Sequence, residues 1–391
     1  MIKKSYWLAI ILFGFTFIVN GCNSNEEENN TVSEEVIEQE KVKNFEDSIS
    51  ALIELKKRDK RKKKITSFFK RKYNSRVFNG NILFAEKGEI IAHESYGYAN
   101  FRKKEKVTLE HSFQLASASK PITAVATLQL IEKGLIELTD TIQKFFPDFP
   151  HKNITIHQLL SHRSGMSQYT HFCDRPDSIW PDKKKTINNN DVLKIMSDIV
   201  PLINYPPDYK YYYCNTNFLI LASIIEKVTE MKFNAYLKKY IFNPIGMKSS
   251  AVYDRTNYDE LTLPAQGYEN KIPWEDVYLN GCVGDKGVYS TTLDLLKFDR
   301  ALKHNLLLSD SIKKLAFKEK NKNFKSNQNY GYGFRLKFTK KYGKIVYHTG
   351  WWKGFRSYYI NIVEKDQTIV VLNNVKRGRF LNINELIGLL N

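Results

Sequence analysis

In the stretch FQLASASKPITAVATLQLIEKGL, residues 113 to 135, Ser117 stands three residues before Lys120 where an apolar helical pattern begins. Side chains three apart share a helix face, with Cβ atoms about 5 to 6 Å apart, so an amine at 120 reaches a hydroxyl at 117. A serine at a helix start also lies beside unpaired backbone N–H groups and the positive end of the helix dipole. Both features suit a nucleophile whose attack creates an oxyanion. Pro121 fits the first turn, where its missing N–H has no partner to lose, and Gly134 marks the stop. The spacing alone is a weak signal, since Ser67/Lys70 and Ser311/Lys314 repeat it. Position separates the three copies: the first lies in a basic run, the third in a charged stretch, and only the second opens a long apolar helix.

A serine nucleophile needs a base, and its leaving group needs an acid. A tyrosine hydroxyl near cationic groups can serve both. Tyr213-Cys214-Asn215 offers one immediately before the apolar stretch NFLILASIIEKV. Tyr-x-Asn recurs elsewhere, for instance at Tyr98, Tyr278 and Tyr359, where it reads as an aromatic followed by a turn-forming asparagine. The third element is His348-Thr349-Gly350 at the end of the β-run KIVY, the chain's one [Lys/His]-Thr-Gly. A lone histidine carries little weight, but Gly350 permits close backbone approach by a ligand.

Several elements must bring these segments together. GNILFAEKGEIIAHESYGYAN, near the start of the folded part, is two β-prone runs about a Lys-Gly turn, and RSYYINIVEKDQTIVVLNN near the end is two more about EKDQ. The segments between are mostly helical in pattern. The expected fold class is mixed α/β (α+β): an antiparallel sheet built from the N- and C-terminal hairpins, flanked by helices, plus a mainly helical second lobe. The cleft between the lobes is the natural place for a site.

Taken jointly, Ser117-Ala118-Ser119-Lys120, Tyr213-Cys214-Asn215 and His348-Thr349-Gly350, in that order and about a hundred residues apart, resemble the three motifs of the serine β-lactamase and penicillin-binding-protein superfamily. The Tyr-x-Asn form resembles the class C-like branch of DD-peptidases and esterase-like hydrolases. LLSHRSGM at 159–166, GDKGVYSTTLDLLKFDRAL at 284–302 and YGYGFRL at 330–336 are similar to that branch too. The resemblance spans residues 77 to 375. It implies a β-lactamase/transpeptidase-like fold and acyl transfer without metal or cofactor. Ser117 is the implied nucleophile, with Lys120 and Tyr213 sharing the proton work, the choice of base left open. The backbone N–H groups of Ser117 and Trp351 would form the oxyanion hole, and Asn215, His348, Thr349 and Gly350 would contact the substrate. Two features depart from the family pattern. His348 replaces the usual lysine, and GDKG puts Asp285 and Lys286 where glycines are common; these two are expected to be structural charges. His162 is expected to pack beneath the helical lobe.

The amino terminus reads as targeting. A basic start and an apolar run from Trp7 to Val19 fall short of the roughly 20 residues that span a bilayer, which marks residues 1–21 as a signal peptide. Val19-Asn20-Gly21-Cys22 resembles a bacterial lipobox, which implies lipidation of Cys22 and a membrane-anchored lipoprotein of the cell envelope. Residues 22–72 are expected to be a charged tether and residues 73–391 the hydrolase domain. Net charge is +18, and residues 56 to 76 hold twelve Lys or Arg against the single acid Asp59. Such a run suits nucleic acid or anionic lipid; export argues against the first, and the plain reading is a solvated, self-repelling helix or tether. Cys173, Cys214 and Cys282 cannot all pair and are expected to be free. The expectation is a monomer acting on small amides or esters, with D-amino-acid peptides and β-lactams as candidates. Two readings compete: a penicillin-binding or sensing module with little turnover, and a non-catalytic surface lipoprotein.

Overall fold

The computed structural model describes residues 27–174, 180, 182–321 and 328–391. The signal stretch and Cys22 lie outside the described residues. The first hairpin forms as expected: strands β1 (Gly80–Glu86) and β2 (Glu89–Tyr96) are joined by Lys87 and Gly88. Both turn residues have positive φ, 53° and 83°, the backbone a two-residue hairpin of this twist requires.

Five later strands complete the sheet: β3 (Gln328–Tyr330), β4 (Arg335–Thr339), β5 (Gly343–Trp352), β6 (Phe355–Ile362) and β7 (Gln367–Asn373). Their order is β3-β4-β5-β6-β7-β1-β2, with every pairing antiparallel. The first strand pairs with the last from Gly80↔Asn373 to Glu86↔Gln367, so the two ends of the domain close the sheet. Alternate side chains on these strands serve opposite cores. Ile82, Phe84, Ile369 and Val371 join one buried cluster, while Leu83, Ala85, Val370 and Leu372 join the other. Burial on both faces explains why these runs read as continuously apolar rather than alternating.

The chain divides into two compact units, Met1–Lys57 and Arg58–Asn391. The helix α1 (Glu27–Asn74) runs through the basic segment. Its residues Ile65, Phe68 and Phe69, spaced i, i+3 and i+4, are buried against the sheet together with Leu386 and Ile387 of the C-terminal helix. The cations around them are not free. Arg58 and Arg61 reach Glu89 and Glu86 on the hairpin at 2.7 and 2.9 Å, and Lys64 donates to the Gly388 carbonyl at 2.5 Å. Within the first unit Phe45, Ile49, Leu52 and Leu55 are exposed. Among the described residues no helix is long and apolar enough to cross a membrane.

On the other face stands the helical lobe. Its central helices are α2 (Lys120–Glu132) and α3 (Asn215–Thr229). Every residue from Lys120 to Leu130 is buried, as is every residue from Thr216 to Ile225. A helix buried all round belongs to the interior of a large domain, so the polar groups at its start are fixed by their surroundings. Helix α2 begins after a 3-10 turn at Ala116–Ser119 and ends before Gly134, whose φ of 68° suits a helix stop.

Candidate active site

Ser117 sits in the 3-10 turn that leads into α2. The residue before it, Ala116, has φ 51°, a left-handed conformation that costs a non-glycine residue about 1 kcal/mol or more. Neighbouring segments hold this turn in place. The Ser357 hydroxyl on β6 donates to the Leu115 carbonyl. Leu115 N–H donates to Val288 O at 2.8 Å, and Val288 N–H donates back to Ser119 Oγ at 3.2 Å. Strand β5 presses against the same turn through Gly350, where an added Cβ would collide with the Leu115 carbonyl and the Ser357 hydroxyl. Glycine is required there by close packing of two backbones.

Lys120 is wholly buried, and its Nζ lies 3.1 Å from Ser117 Oγ, 2.8 Å from Asn215 Oδ1 and 2.9 Å from the main-chain oxygen of Asp285. Burial pulls its pKa down to about 8; the Asp285 carboxylate opposes that shift and the Arg335 guanidinium adds to it. Burial pushes the Tyr213 pKa up to about 12, despite the lowering influence of Arg335 and Ser117. The Tyr213 ring centre lies 5.0 Å from Lys120 Nζ and 5.2 Å from the Arg335 guanidinium carbon.

Two residues hold the Tyr213–Asn215 segment in place. Gln168 Nε2 donates to the Tyr213 carbonyl at 2.6 Å, and its Oε1 accepts from Asn215 N–H at 2.8 Å. His162 packs its ring on Tyr213 with centroids 4.3 Å apart, and its Nδ1 accepts from Cys214 N–H at 3.2 Å. Burial, helped by Lys120 and His348, holds the His162 pKa well below the usual value. It is a neutral packing partner, as expected. Cys214 is buried and free like Cys173 and Cys282, and burial pushes its thiol up to about 11, which makes it a poor nucleophile.

A pocket of about 340 Å³ opens over these groups, lined by Ser117, Tyr213, Asn215, Thr349, Gly350 and Trp351 among others. That size suits a small molecule or a short peptide. The structure therefore brings seven of the eight expected site residues together, with Lys120 just beneath. His348 differs from the expectation of substrate contact. It is wholly buried, is absent from the pocket wall, and faces Tyr330, whose hydroxyl lies 3.2 Å from Nε2. His348 lies on the helical-lobe side of β5, packed beneath the pocket against Tyr213 and Tyr330, with ring centres 6.3 and 6.0 Å away, while Thr349 reaches the wall. The His348 Nδ1 donates to the Thr349 carbonyl at 2.8 Å, and burial and Arg335 keep the ring neutral.

Positive charge in the pocket comes instead from Arg335 on β4, which sequence reasoning missed. Its Nε is buried without a hydrogen-bond partner among the described residues. The one available signal was YGYGFRL, noticed as a similar stretch without a role for its arginine. Asp285 and Lys286 also line the pocket, and both are 3% exposed rather than solvated. They pair at 3.6 Å, with the Tyr169 hydroxyl bonded to both.

Known proteins give this geometry its context. A Beta-lactamase family model matches residues 68–390. Penicillin-binding protein 4* of Bacillus subtilis (strain 168) is 32% identical over 329 residues, covering 80% of this chain and 72% of that one. A penicillin binding protein from Bacillus halodurans superimposes with a TM-score of 0.68 at 24% identity, over 77% of this chain and 92% of the other. The D-amino acid amidase of Ochrobactrum anthropi SV3 gives 0.67 at 22% identity, over 81% and 94%; these two structural matches speak to fold alone. Sequence match and fold agree, and the chain belongs to the β-lactamase family, within the superfamily of serine β-lactamases and penicillin-binding proteins.

Proposed function

We propose that the protein is a serine hydrolase that forms an acyl-enzyme on Ser117 with small amides or esters bearing an anionic group, D-amino-acid peptides and β-lactams among them. The observation that carries this reading is the placement of one amine, Lys120 Nζ, 3.1 Å from the Ser117 hydroxyl, with Tyr213 in the same pocket wall and its ring centre 5.0 Å from that amine. Lys120 is the base. With pKa values of about 8 and about 12, roughly one lysine in ten is neutral at pH 7, against about one tyrosine in 10⁵. The Nζ lone pair takes the Ser117 proton as Oγ bonds to the carbonyl carbon. The carbonyl electrons move onto oxygen, facing the N–H groups of Ser117 and Trp351. Tyr213 then protonates the departing nitrogen or oxygen and is resupplied by Lys120. Water attacks the ester by the reverse route. Arg335 supplies the cationic contact for a substrate carboxylate, the part that neutral His348 cannot play.

The name of the Bacillus subtilis relative supports including β-lactams among the acylating substrates. Intact-mass analysis of wild type and Ser117→Ala after exposure to a fluorescent penicillin, a fluorophosphonate, short-chain esters and D-Ala-D-Ala peptides tests the reading. One covalent adduct or turnover is expected in wild type and neither in the variant; labelling that survives Ser117→Ala overturns it. An adduct that persists for hours without product would instead identify a penicillin-binding module. We further propose that lipid on Cys22 holds the protein at the envelope membrane, supported by the apolar run ending at that cysteine. Cys22→Ser is expected to move the protein out of the membrane fraction.

A further inference from the structure

The loop Gly284–Gly287 is anchored between α2 and α3 through the backbone of its first residue. Thr123 Oγ1 donates to the Gly284 carbonyl at 2.6 Å. Gly284, with φ 102°, lies where a Cβ would strike the Phe218 carbonyl and the Ala222 side chain of α3. These contacts fix Gly284 without a side chain from the middle of the loop. Yet the two residues there are an aspartate and a lysine, both 3% exposed. Burying such a pair costs desolvation that its mutual attraction repays only with good geometry, and apolar replacements often serve stability as well or better. Stability alone therefore does not require the pair.

Its placement gives it a use. The main-chain oxygen of Asp285 accepts from Lys120 Nζ at 2.9 Å, and its carboxylate accepts from the Tyr169 hydroxyl at 3.1 Å. Lys286 Nζ lies 2.5 Å from that same hydroxyl, 3.1 Å from the Cys282 carbonyl and 3.6 Å from Asp285 Oδ1. We propose that Asp285, held in register by Tyr169 and Lys286, is a positioning residue that supplies the counter-charge for Lys120, with Lys286 moderating it. The inference builds on the reading of Lys120 as base for Ser117.

The groups facing Lys120 show why one carboxylate matters. Ser117 comes from its own turn; Tyr213, Cys214 and Asn215 precede α3; His162 comes from the loop after Leu160; Arg335 stands on β4 and His348 on β5. Both histidines are neutral and Arg335 is repulsive, which leaves Asp285 as the carboxylate among them. Removing it lowers the proton affinity of Lys120. The same charge raises the Tyr213 pKa, so the sign holds whichever group takes the serine proton.

The test is the titration of Lys120 by NMR in protein carrying ¹³C-labelled lysine, with the signal assigned through Lys120→Arg. Asp285→Asn is expected to lower the midpoint by about 1 pH unit, the low end for loss of a nearby opposite charge. Lys286→Met, which leaves the carboxylate unopposed, is expected to raise it. The double variant D285N/K286M removes the buried pair together and guards against misfolding; it is expected to lower the midpoint by less than Asp285→Asn. An unmoved midpoint in the double variant, or shifts of the same sign in the two single variants, overturns the proposal. The titration needs no substrate, so failure of Ser117 to acylate would sink the proposed function without deciding this outcome. Where acylation is measurable, the acid limb of its rate is expected to move with the midpoint.

Discussion

The two faces of the sheet are equally buried and differently made. Beneath α1 and the C-terminal helix the cluster is aliphatic and aromatic: Ile65, Phe69, Phe84, Ile360, Ile369 and Leu386 contribute nothing ionisable. Phe69 meets Phe78 and Phe84 edge-on at 4.9 and 5.9 Å between ring centres, the geometry aromatic pairs prefer. On the helical-lobe side the apolar cluster surrounds Lys120, Asp285, Lys286, His162 and His348, all buried. One face supplies stability from removed apolar surface. The other uses it to hold a desolvated lysine and a left-handed Ala116 against water and relaxation. Buried charge gathers around the site on this face, although Asp294, Asp299, Lys337 and Arg356 are also buried elsewhere in the fold.

Four measurements would break or sharpen that contrast. Ser117→Ala is expected to lower acylation by at least about 10³-fold, the scale on which a nucleophile's removal is felt, and to leave the melting temperature unchanged. Phe69→Ala, on the inert face, is expected to cost about 3–5 kcal/mol in urea unfolding while each folded molecule acylates normally. Equal damage to acylation would show that the two faces are not separable.

Acid comes next in size. His162 and His348 keep folded pKa values well below the ordinary value through burial, so below about pH 6.5 the unfolded chain binds protons that the folded chain refuses. Stability is then complete above that pH and lost as pH falls, by about 1.4 kcal/mol per pH unit for each histidine. Unfolding measured at pH 7 and pH 5 should show a slope of this sign, to which the depressed His93, His151 and His157 also contribute, and His348→Asn should make it shallower. The smallest effect is expected from Ala116→Gly. Relief of the left-handed conformation should raise stability by up to about 1 kcal/mol, marking the strain as a property of the reactive side.

How far the sequence could be read depended on whether its signals were local. Both terminal hairpins announced themselves through β-prone runs and, at Lys87-Gly88, through a turn chemistry that the backbone uses. Ser117, Lys120, Tyr213 and Asn215 were legible because each opens an apolar helix with a distinctive spacing, and the structure places them within contact of one another. What was missed depends on pairing between distant segments. Ile65, Phe68 and Phe69 were hidden among cations, and only the sheet they cover distinguishes them from a solvated helix. Arg335 enters the site because β4 sets it opposite Tyr347 on β5, a register no local pattern encodes. The inward turn of His348 and the burial of Asp285 and Lys286 are likewise consequences of packing.

The pairing of β1 with β7 has a consequence for biogenesis. Gly80 finds its partner, Asn373, only after nearly the whole remaining chain has been made, and such distant contacts pay loop closure before they are rewarded. A nascent chain held in a ribosome or threaded through a translocation channel cannot complete this sheet. Losing the last twenty-five residues would remove the helix that covers one core and the whole of β7, the partner of the first hairpin, so a late premature stop is expected to act as a folding lesion. Quality control would then see an unfinished sheet edge long before any assay noticed a missing active site.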